Sequence, residues 1–171
     1  GEWLKMVSNE TARTNFANNV KNVLDKYNMD GVDLDFEWAY SSSELINYSK
    51  AIVKLRGVLG KNVFFTVSLH PVSYKISKEA IAAVDFISLQ CYGPSPVRFP
   101  VEKYCSDIQM VLKYGIPKEK LVAGVPFYGV TKDNSKKTEA YFSFVQNGLI
   151  TSPAENEVNY KGEVYVFDGQ D

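Results

Sequence analysis

The sequence of 171 residues predicts one α/β domain built on a parallel sheet. Four short runs typical of strands alternate with segments whose apolar residues recur at helical spacing. Strands separated by helices of this length pair in parallel through right-handed crossovers. A hydrophobic fraction of 45% excludes a disordered chain, and no apolar run reaches the roughly 18 residues of a membrane span.

The first helix is predicted over residues 11–27, where apolar side chains recur every three or four positions. Ser8 or Asn9 can cap its start, because both side chains accept hydrogen bonds from the first N–H groups of a helix. A strand follows at residues 32–37, where apolar and acidic residues alternate with the period of a strand. Another apolar stripe predicts a second helix over residues 45–59.

The alternation continues through the rest of the core. Residues 63–69 form a nearly continuous β-branched and aromatic run, the pattern of a strand covered on both faces. A short helix is predicted over residues 78–84 and a strand over residues 86–92. A helix from residue 101 to 112 and a strand over residues 121–128 complete the core.

The chain changes character after the last predicted core strand. Residues 131–138 are polar and rich in lysine, and residues 139–148 can form one helix. Residues 158–167 have the pattern of a hairpin that turns at Lys161-Gly162. We therefore predict that residues 130–171 are an appended helix and hairpin.

Charge and composition argue against several classes of function. Nineteen Lys and Arg against 20 Asp and Glu leave a net charge of -1, so we expect neither nucleic acid nor an anionic membrane as partner. One histidine and two distant cysteines cannot supply a structural zinc site. A doubly wound nucleotide-binding domain is disfavoured because no glycine-rich phosphate loop follows a strand.

The strand at residues 32–37 carries the candidate chemistry. Asp33, Asp35 and Glu37 project from one face, about 7 Å apart in succession. An acidic alternation can mark a solvated sheet face, but a parallel strand flanked by helices has none, so we expect these acids to line an interior or a mouth. Glu37 is best placed to meet a substrate, since α/β folds place their chemistry at the carboxyl ends of strands.

Residues 30–37, Asp-Gly-Val-Asp-Leu-Asp-Phe-Glu, match a DxxDxDxE signature and resemble glycoside hydrolase family 18, the family of chitinases and endo-β-N-acetylglucosaminidases. Residues 86–92 resemble the sixth strand of that family's barrel, and residues 124–129, Gly-Val-Pro-Phe-Tyr-Gly, resemble the seventh. The resemblance implies a (β/α)8 barrel of the TIM type. Residues 1–171 would carry about half of this catalytic barrel, with strands similar to the fourth to seventh.

A complete barrel takes about 250 residues. Four strands alone would expose two unpaired parallel edges, which folded proteins avoid. We therefore expect this chain to be part of a longer barrel, with the remaining strands supplied by the parent chain. Self-association of half-barrels is the alternative.

The resemblance also implies a reaction. Family members hydrolyse β-1,4 bonds next to N-acetylglucosamine with retention, using the acetamide of the substrate as nucleophile. By that resemblance Glu37 would protonate the leaving oxygen and later activate water. Asp35 would orient the acetamide, Asp33 would share a proton with Asp35, and Tyr92 would donate a hydrogen bond to the acetamide carbonyl.

Three more residues are candidates for substrate binding. By the resemblance Gln90 and Tyr128 would shape the sugar subsite. Trp38 belongs to a group of aromatic residues predicted at the carboxyl ends of strands, where their faces can stack on sugar rings; core packing is the competing interpretation. The resemblance implies no metal and no organic cofactor, and it favours a secreted or periplasmic location.

Two classes of function are open at this point. The first is a glycoside hydrolase acting on glycans that contain N-acetylglucosamine, such as chitin or an N-glycan core. The second is a non-catalytic, chitinase-like carbohydrate-binding protein. The presence of Glu37 and Asp35 favours the enzyme. An alternative that stays open is that the isolated chain is inactive without the rest of the barrel.

Overall fold

The computed structural model of the chain describes three stretches, residues 1–92, 100–133 and 136–167. The chain divides into two compact units. The first comprises residues 1–89 and 110–123, and the second comprises residues 90–109 and 124–171. Among the residues of the three described stretches, no helix is long and apolar enough to cross a membrane.

A parallel sheet with flanking helices forms the core of the first unit. The elements up to residue 124, in chain order, are α1 (Glu2–Ser8), α2 (Glu10–Tyr27), β1 (Gly31–Asp35), α3 (Ser42–Leu59), β2 (Phe64–Leu69), α4 (Lys78–Ala83), β3 (Phe86–Gln90), α5 (Val101–Tyr114) and β4 (Leu121–Gly124). The strand order is β1-β2-β3-β4, and β2 pairs in parallel with both β1 and β3. The structure therefore confirms the predicted α/β fold.

Local capping determines where two of the long helices begin and end. Asn9 begins α2, because its side-chain oxygen accepts a hydrogen bond from the N–H of Ala12 at 2.9 Å. Ser41 begins α3 through a capping box. The Ser41 hydroxyl accepts a hydrogen bond from the N–H of Glu44, and the Glu44 carboxylate accepts one from the N–H of Ser41. Gly60 ends α3 at a φ of 77°, a backbone conformation that glycine adopts without steric cost.

The helices of the first unit cover one face of the sheet. Phe36, just after β1, is 4% exposed and packs against the rings of Trp3 on α1 and Tyr48 on α3, with centroids 5.5 and 4.9 Å away. On β2 the alternate residues are buried, whereas Phe64 on the other face is 50% exposed. The prediction that residues 63–69 are covered on both faces is therefore wrong, because four strands do not close over the opposite face.

The described part of the second unit includes residues 101–109 of α5 and, after residue 124, an antiparallel sheet with the helix α6. The elements after residue 124 are β5 (Tyr128–Thr131), β6 (Thr138–Ala140), α6 (Tyr141–Gln146), β7 (Glu157–Tyr160) and β8 (Glu163–Val166), in the sheet order β6-β5-β8-β7. The predicted hairpin is confirmed as β7 and β8. Lys161 and Gly162 turn it with φ of 53° and 80°, as a two-residue type I′ turn requires. Phe144 of α6 is fully buried against this sheet.

Two predicted elements differ from the observed ones. Residues 121–128 belong to two strands, β4 and β5, of different sheets. Pro126 lies between them and has no N–H to donate to a sheet, so one continuous strand cannot form. Residues 139–148 are not one helix, because residues 138–140 pair with β5 and the helix occupies residues 141–146.

Two cations hold the carboxyl end of α4. The Nζ of Lys120 donates to the carbonyl oxygens of Ile81 at 3.0 Å and Val84 at 2.6 Å. The Nε of Arg56 donates to the carbonyl oxygen of Ala83 at 2.5 Å. These side chains satisfy carbonyls that have no partner within the helix.

Asp85 lies next to these contacts. Its Oδ2 accepts hydrogen bonds from Nη2 of Arg56 at 2.7 Å and from the N–H of Phe65 at 2.8 Å. Burial raises the pKa of the Asp85 carboxyl, but the two hydrogen bonds and the charges of Arg56 and Lys120 outweigh burial and lower it. A carboxyl whose pKa is lowered by folding contributes stability that is lost as the pH falls through its folded pKa.

We expect the free energy of unfolding to decrease as the pH falls below about 4, the pKa of an unfolded aspartate. The decrease should be smaller in Asp85→Asn, which has no carboxyl to protonate. Urea unfolding followed by circular dichroism at several pH values measures this. Asn22→Ala, an exposed substitution on α2 that removes no carboxyl group, is the control and should keep the wild-type pH dependence. If the unfolding free energy of Asp85→Asn decreased with pH as steeply as that of the wild type, the pH dependence could not be attributed to the Asp85 carboxyl.

Candidate active site

The acids of β1 lie on the sheet face opposite the helices. Asp33 and Asp35 are exposed, and Leu34 between them is buried, as the alternation predicts. Glu37 is also exposed, two residues beyond the end of β1. The expected burial of these carboxylates in an interior or mouth is wrong for the described chain, because the helices of their unit pack only on the other face of β1.

Asp33 is held from the neighbouring strand by two hydroxyl groups. Oγ1 of Thr66 donates to Oδ1 at 2.5 Å, and Oγ of Ser68 donates to Oδ2 at 2.8 Å. Neither Thr66 nor Ser68 is among the site residues predicted from the sequence. The sequence does contain a feature that could have indicated them: two hydroxyl residues at alternate positions of an otherwise apolar strand. Both lie on the sheet face that carries the acids of β1.

Tyr48 supports the backbone between the two aspartates from the helix side. It is 1% exposed, and its hydroxyl donates a hydrogen bond to the carbonyl oxygen of Leu34 at 3.0 Å. Burial, together with the charges of Asp33 and Asp35, raises the pKa of Tyr48 well above its usual value. The hydroxyl therefore keeps its proton and remains a hydrogen-bond donor to β1.

The segment after Glu37 is fixed against the end of β2. The peptide bond between Glu37 and Trp38 is cis. Trp38 is half-buried, and its ring lies 5.3 Å from the ring of His70, centroid to centroid. The N–H of Ala39 donates to Oγ of Ser73 at 3.1 Å. His70 is 2% exposed, and its Nδ1 accepts a backbone N–H two residues further on at 3.2 Å.

Three of the predicted site residues, Gln90, Tyr92 and Tyr128, belong to the second unit. All three are half-buried. The rings of Tyr92 and Tyr128 lie 6.5 Å apart at an interplanar angle of 85°, an edge-to-face contact. The structure therefore brings these two predicted residues together, and Gln90 ends β3 two residues before Tyr92.

The candidate site offers carboxylates, hydroxyls and aromatic rings. These groups can transfer protons, donate hydrogen bonds to polar or charged atoms, and stack on flat apolar faces. Across the described stretches, no three His, Cys, Asp or Glu side chains are grouped as metal ligands would be.

Comparison with protein families determines the family of this chain. The sequence model described as "Glycosyl hydrolases family 18" matches residues 1–170. The chain belongs to glycoside hydrolase family 18. This membership confirms the family that the DxxDxDxE segment of β1 resembles.

Two relatives of known sequence are chitinases by name. "Probable chitinase 2" of Drosophila melanogaster is 27% identical over 188 residues, which cover 96% of this chain and 37% of the relative. "Class V chitinase" of Arabidopsis thaliana is 26% identical over 156 residues, covering 74% of this chain and 41% of the relative. This chain thus spans less than half the length of either relative.

Solved family 18 structures share the fold. The GH18 chitinase ChiB from the chitin utilization locus of Flavobacterium johnsoniae matches 98% of this chain and 55% of its own, with a TM-score of 0.78 and 25% identity. A plant class V chitinase mutant from Cycas revoluta in complex with (GlcNAc)3 matches 99% of this chain and 64% of its own, with a TM-score of 0.78 and 17% identity. The chain therefore forms part of a (β/α)8 barrel, as predicted.

Proposed function

We propose that the protein carrying this chain is a glycoside hydrolase that cleaves β-1,4 linkages next to N-acetylglucosamine, in chitin-like glycans or an N-glycan core. The observation that carries the proposal is the row of Asp33, Asp35 and Glu37 on one accessible face of β1, in a chain that belongs to family 18. Two relatives that are chitinases by name, from Drosophila melanogaster and Arabidopsis thaliana, support the chitin-like substrate.

Glu37 is the proposed general acid and base. It is exposed, so a glycosidic oxygen can approach it. Glu37 protonates that oxygen as its bond to C1 breaks, while the acetamide oxygen of the substrate bonds to C1. Glu37 then takes a proton from water, which attacks C1 and releases the acetamide. Two displacements at C1 retain the configuration.

The remaining roles follow from the family resemblance. Asp35 is the proposed partner of the acetamide N–H, and its charge stabilises the positive oxazolinium-type intermediate. Asp33 shares a proton with Asp35. In the second unit, Tyr92 is the proposed donor to the acetamide carbonyl, and Gln90 and Tyr128 are the proposed subsite residues. Trp38 presents an aromatic ring beside Glu37 that can stack on a sugar.

The proposal predicts that hydrolysis depends on the acetamide. We expect the full-length protein to cleave N-acetylated chito-oligosaccharides about a thousandfold faster than fully deacetylated oligosaccharides of the same length, because the internal nucleophile is then missing. Release of reducing ends measures kcat/KM for both substrates, which share the same rings and linkages. Equal rates would contradict the participation of the acetamide. Binding of the acetylated oligosaccharide without product release would support the carbohydrate-binding alternative.

A further inference from the structure

We infer that Thr66 and Ser68 are positioning residues that hold Asp33 for hydrolysis, an inference that rests on the proposed function. Each hydroxyl donates to a different oxygen of the same carboxylate, at 2.5 Å from Thr66 and 2.8 Å from Ser68. Two contacts on two oxygens fix both the position and the rotation of the carboxylate. A single contact would leave the Asp33 side chain free to rotate about the contacted oxygen.

The register of the parallel strands explains how one carboxylate receives both hydroxyls. Thr66 is the Cα partner of Asp33, and Ser68 is the Cα partner of Asp35. Side chains two residues apart on a strand point to the same face, so the hydroxyls of Thr66 and Ser68 can both reach the Asp33 carboxylate. Ser68 bonds Asp33, although its partner in the register is Asp35. Both hydroxyls of β2 are therefore directed at one acid.

The chemistry of these contacts suits a positioning role. A hydroxyl group is an uncharged donor that turns about its C–O bond to meet an acceptor, so it can hold a carboxyl oxygen without adding a charge. The contacts come from a strand whose alternate residues are buried in the core, so the two donors have a rigid support. Behind Asp33, the Tyr48 hydroxyl holds the carbonyl of Leu34. Asp33 is thus restrained through its side chain from β2 and through its backbone from α3.

Matched substitutions separate the hydroxyl contacts from general packing. Thr66→Val removes the hydroxyl and keeps the branched shape, whereas Thr66→Ser keeps the hydroxyl and removes the methyl group. Ser68→Ala removes the second donor. Ser88→Ala is the control, because Ser88 is the partner of Ser68 on β3 and lies on the same sheet face, with no hydrogen bond to Asp33.

In the full-length protein with N-acetylated chito-oligosaccharides, we expect kcat to fall about tenfold in Thr66→Val and in Ser68→Ala, with KM changed less than about twofold. Thr66→Ser should recover most of the kcat lost in Thr66→Val. Ser88→Ala should keep the wild-type kcat. In a wild-type protein that hydrolyses these substrates, a full kcat in the Thr66→Val, Ser68→Ala double variant would overturn the inference.

A spectroscopic measurement tests the hydrogen bonds from Thr66 and Ser68 to Asp33 without requiring enzyme activity. In protein labelled with ¹³C at aspartate carboxyls, with the Asp33 signal assigned from its loss in Asp33→Asn, we expect that signal to move in Thr66→Val and Ser68→Ala. It should stay at the wild-type position in Ser88→Ala. Absence of hydrolysis by the wild type would refute the proposed function, whereas an unmoved Asp33 signal in both hydroxyl-deleting variants would refute the inference itself.

Discussion

Glu37→Gln is expected to lower kcat/KM of the full-length protein on N-acetylated chito-oligosaccharides by about a thousandfold, within the range that a general acid and base contributes. Glutamine has the size of glutamate and still forms hydrogen bonds, but it cannot donate a proton to the leaving oxygen or accept one from water. Because Glu37 is exposed and lies outside the packed core, the substitution should leave folding intact. Oligosaccharide affinity should stay within about threefold of the wild type.

Two measurements test this expectation together. A chromogenic chitobioside reports hydrolysis, and titration calorimetry with an N-acetylated oligosaccharide reports binding. Glu10→Gln makes the same chemical change on the exposed first turn of α2 and should keep wild-type activity. Undiminished hydrolysis by Glu37→Gln would remove Glu37 from the reaction. Loss of both hydrolysis and binding would show that Glu37 mainly holds the substrate.

Gly31→Ala should destabilise the protein by about 3 kcal/mol, at the upper end of the cost of overpacking. A Cβ on Gly31 would lie 2.2 Å from the carbonyl oxygen of Phe64 and 2.7 Å from its Cβ. Both atoms are fixed by the β2 backbone and cannot turn aside. Gly31 and Phe64 are register partners, so β1 and β2 would have to separate at the start of the acidic strand. The close approach of β2 therefore explains why glycine occupies position 31 of the DxxDxDxE segment.

Gly57→Ala is the matched control, and it is expected to raise the stability of the protein, whereas Gly31→Ala lowers it. Gly57 lies inside α3, and a Cβ there would meet no atom within 4 Å. Alanine favours the helix over glycine by about 1 kcal/mol, so this variant should be more stable than the wild type by about 0.5–1 kcal/mol. Urea unfolding of the full-length protein measures both variants. Wild-type stability of Gly31→Ala would contradict the steric argument.

The features that could be predicted from sequence are those set by neighbouring residues. Asn9 caps a helix through an N–H three residues away, and Lys161-Gly162 forms a turn because a two-residue hairpin needs two positive φ angles. The alternation in β1 likewise predicts which side chains share a face. The family resemblance added roles for Glu37 and Tyr92, which only activity measurements can test.

The features that could not be predicted depend on distant parts of the fold. The exposure of Asp33 and its neighbours depends on how many strands close over the sheet face, and the period of two in β1 does not encode that number. The contacts of Thr66 and Ser68 depend on the register between β1 and β2, which the run of residues 64–69 alone does not set. Pro126 indicates a break between β4 and β5, because proline interrupts a strand. The apolar residues on both sides of Pro126 nevertheless favour one continuous strand.

The short helix α4 has a consequence for the order of events during synthesis. Six residues are too few for a helix to be stable alone. One cation that completes it, Arg56, precedes it in the chain, but Lys120 lies 36 residues beyond Val84. A nascent chain therefore exposes β3 and α5 from the ribosome before α4 gains its last partner. The helix reaches full stability only when the lysine just before β4 has been translated.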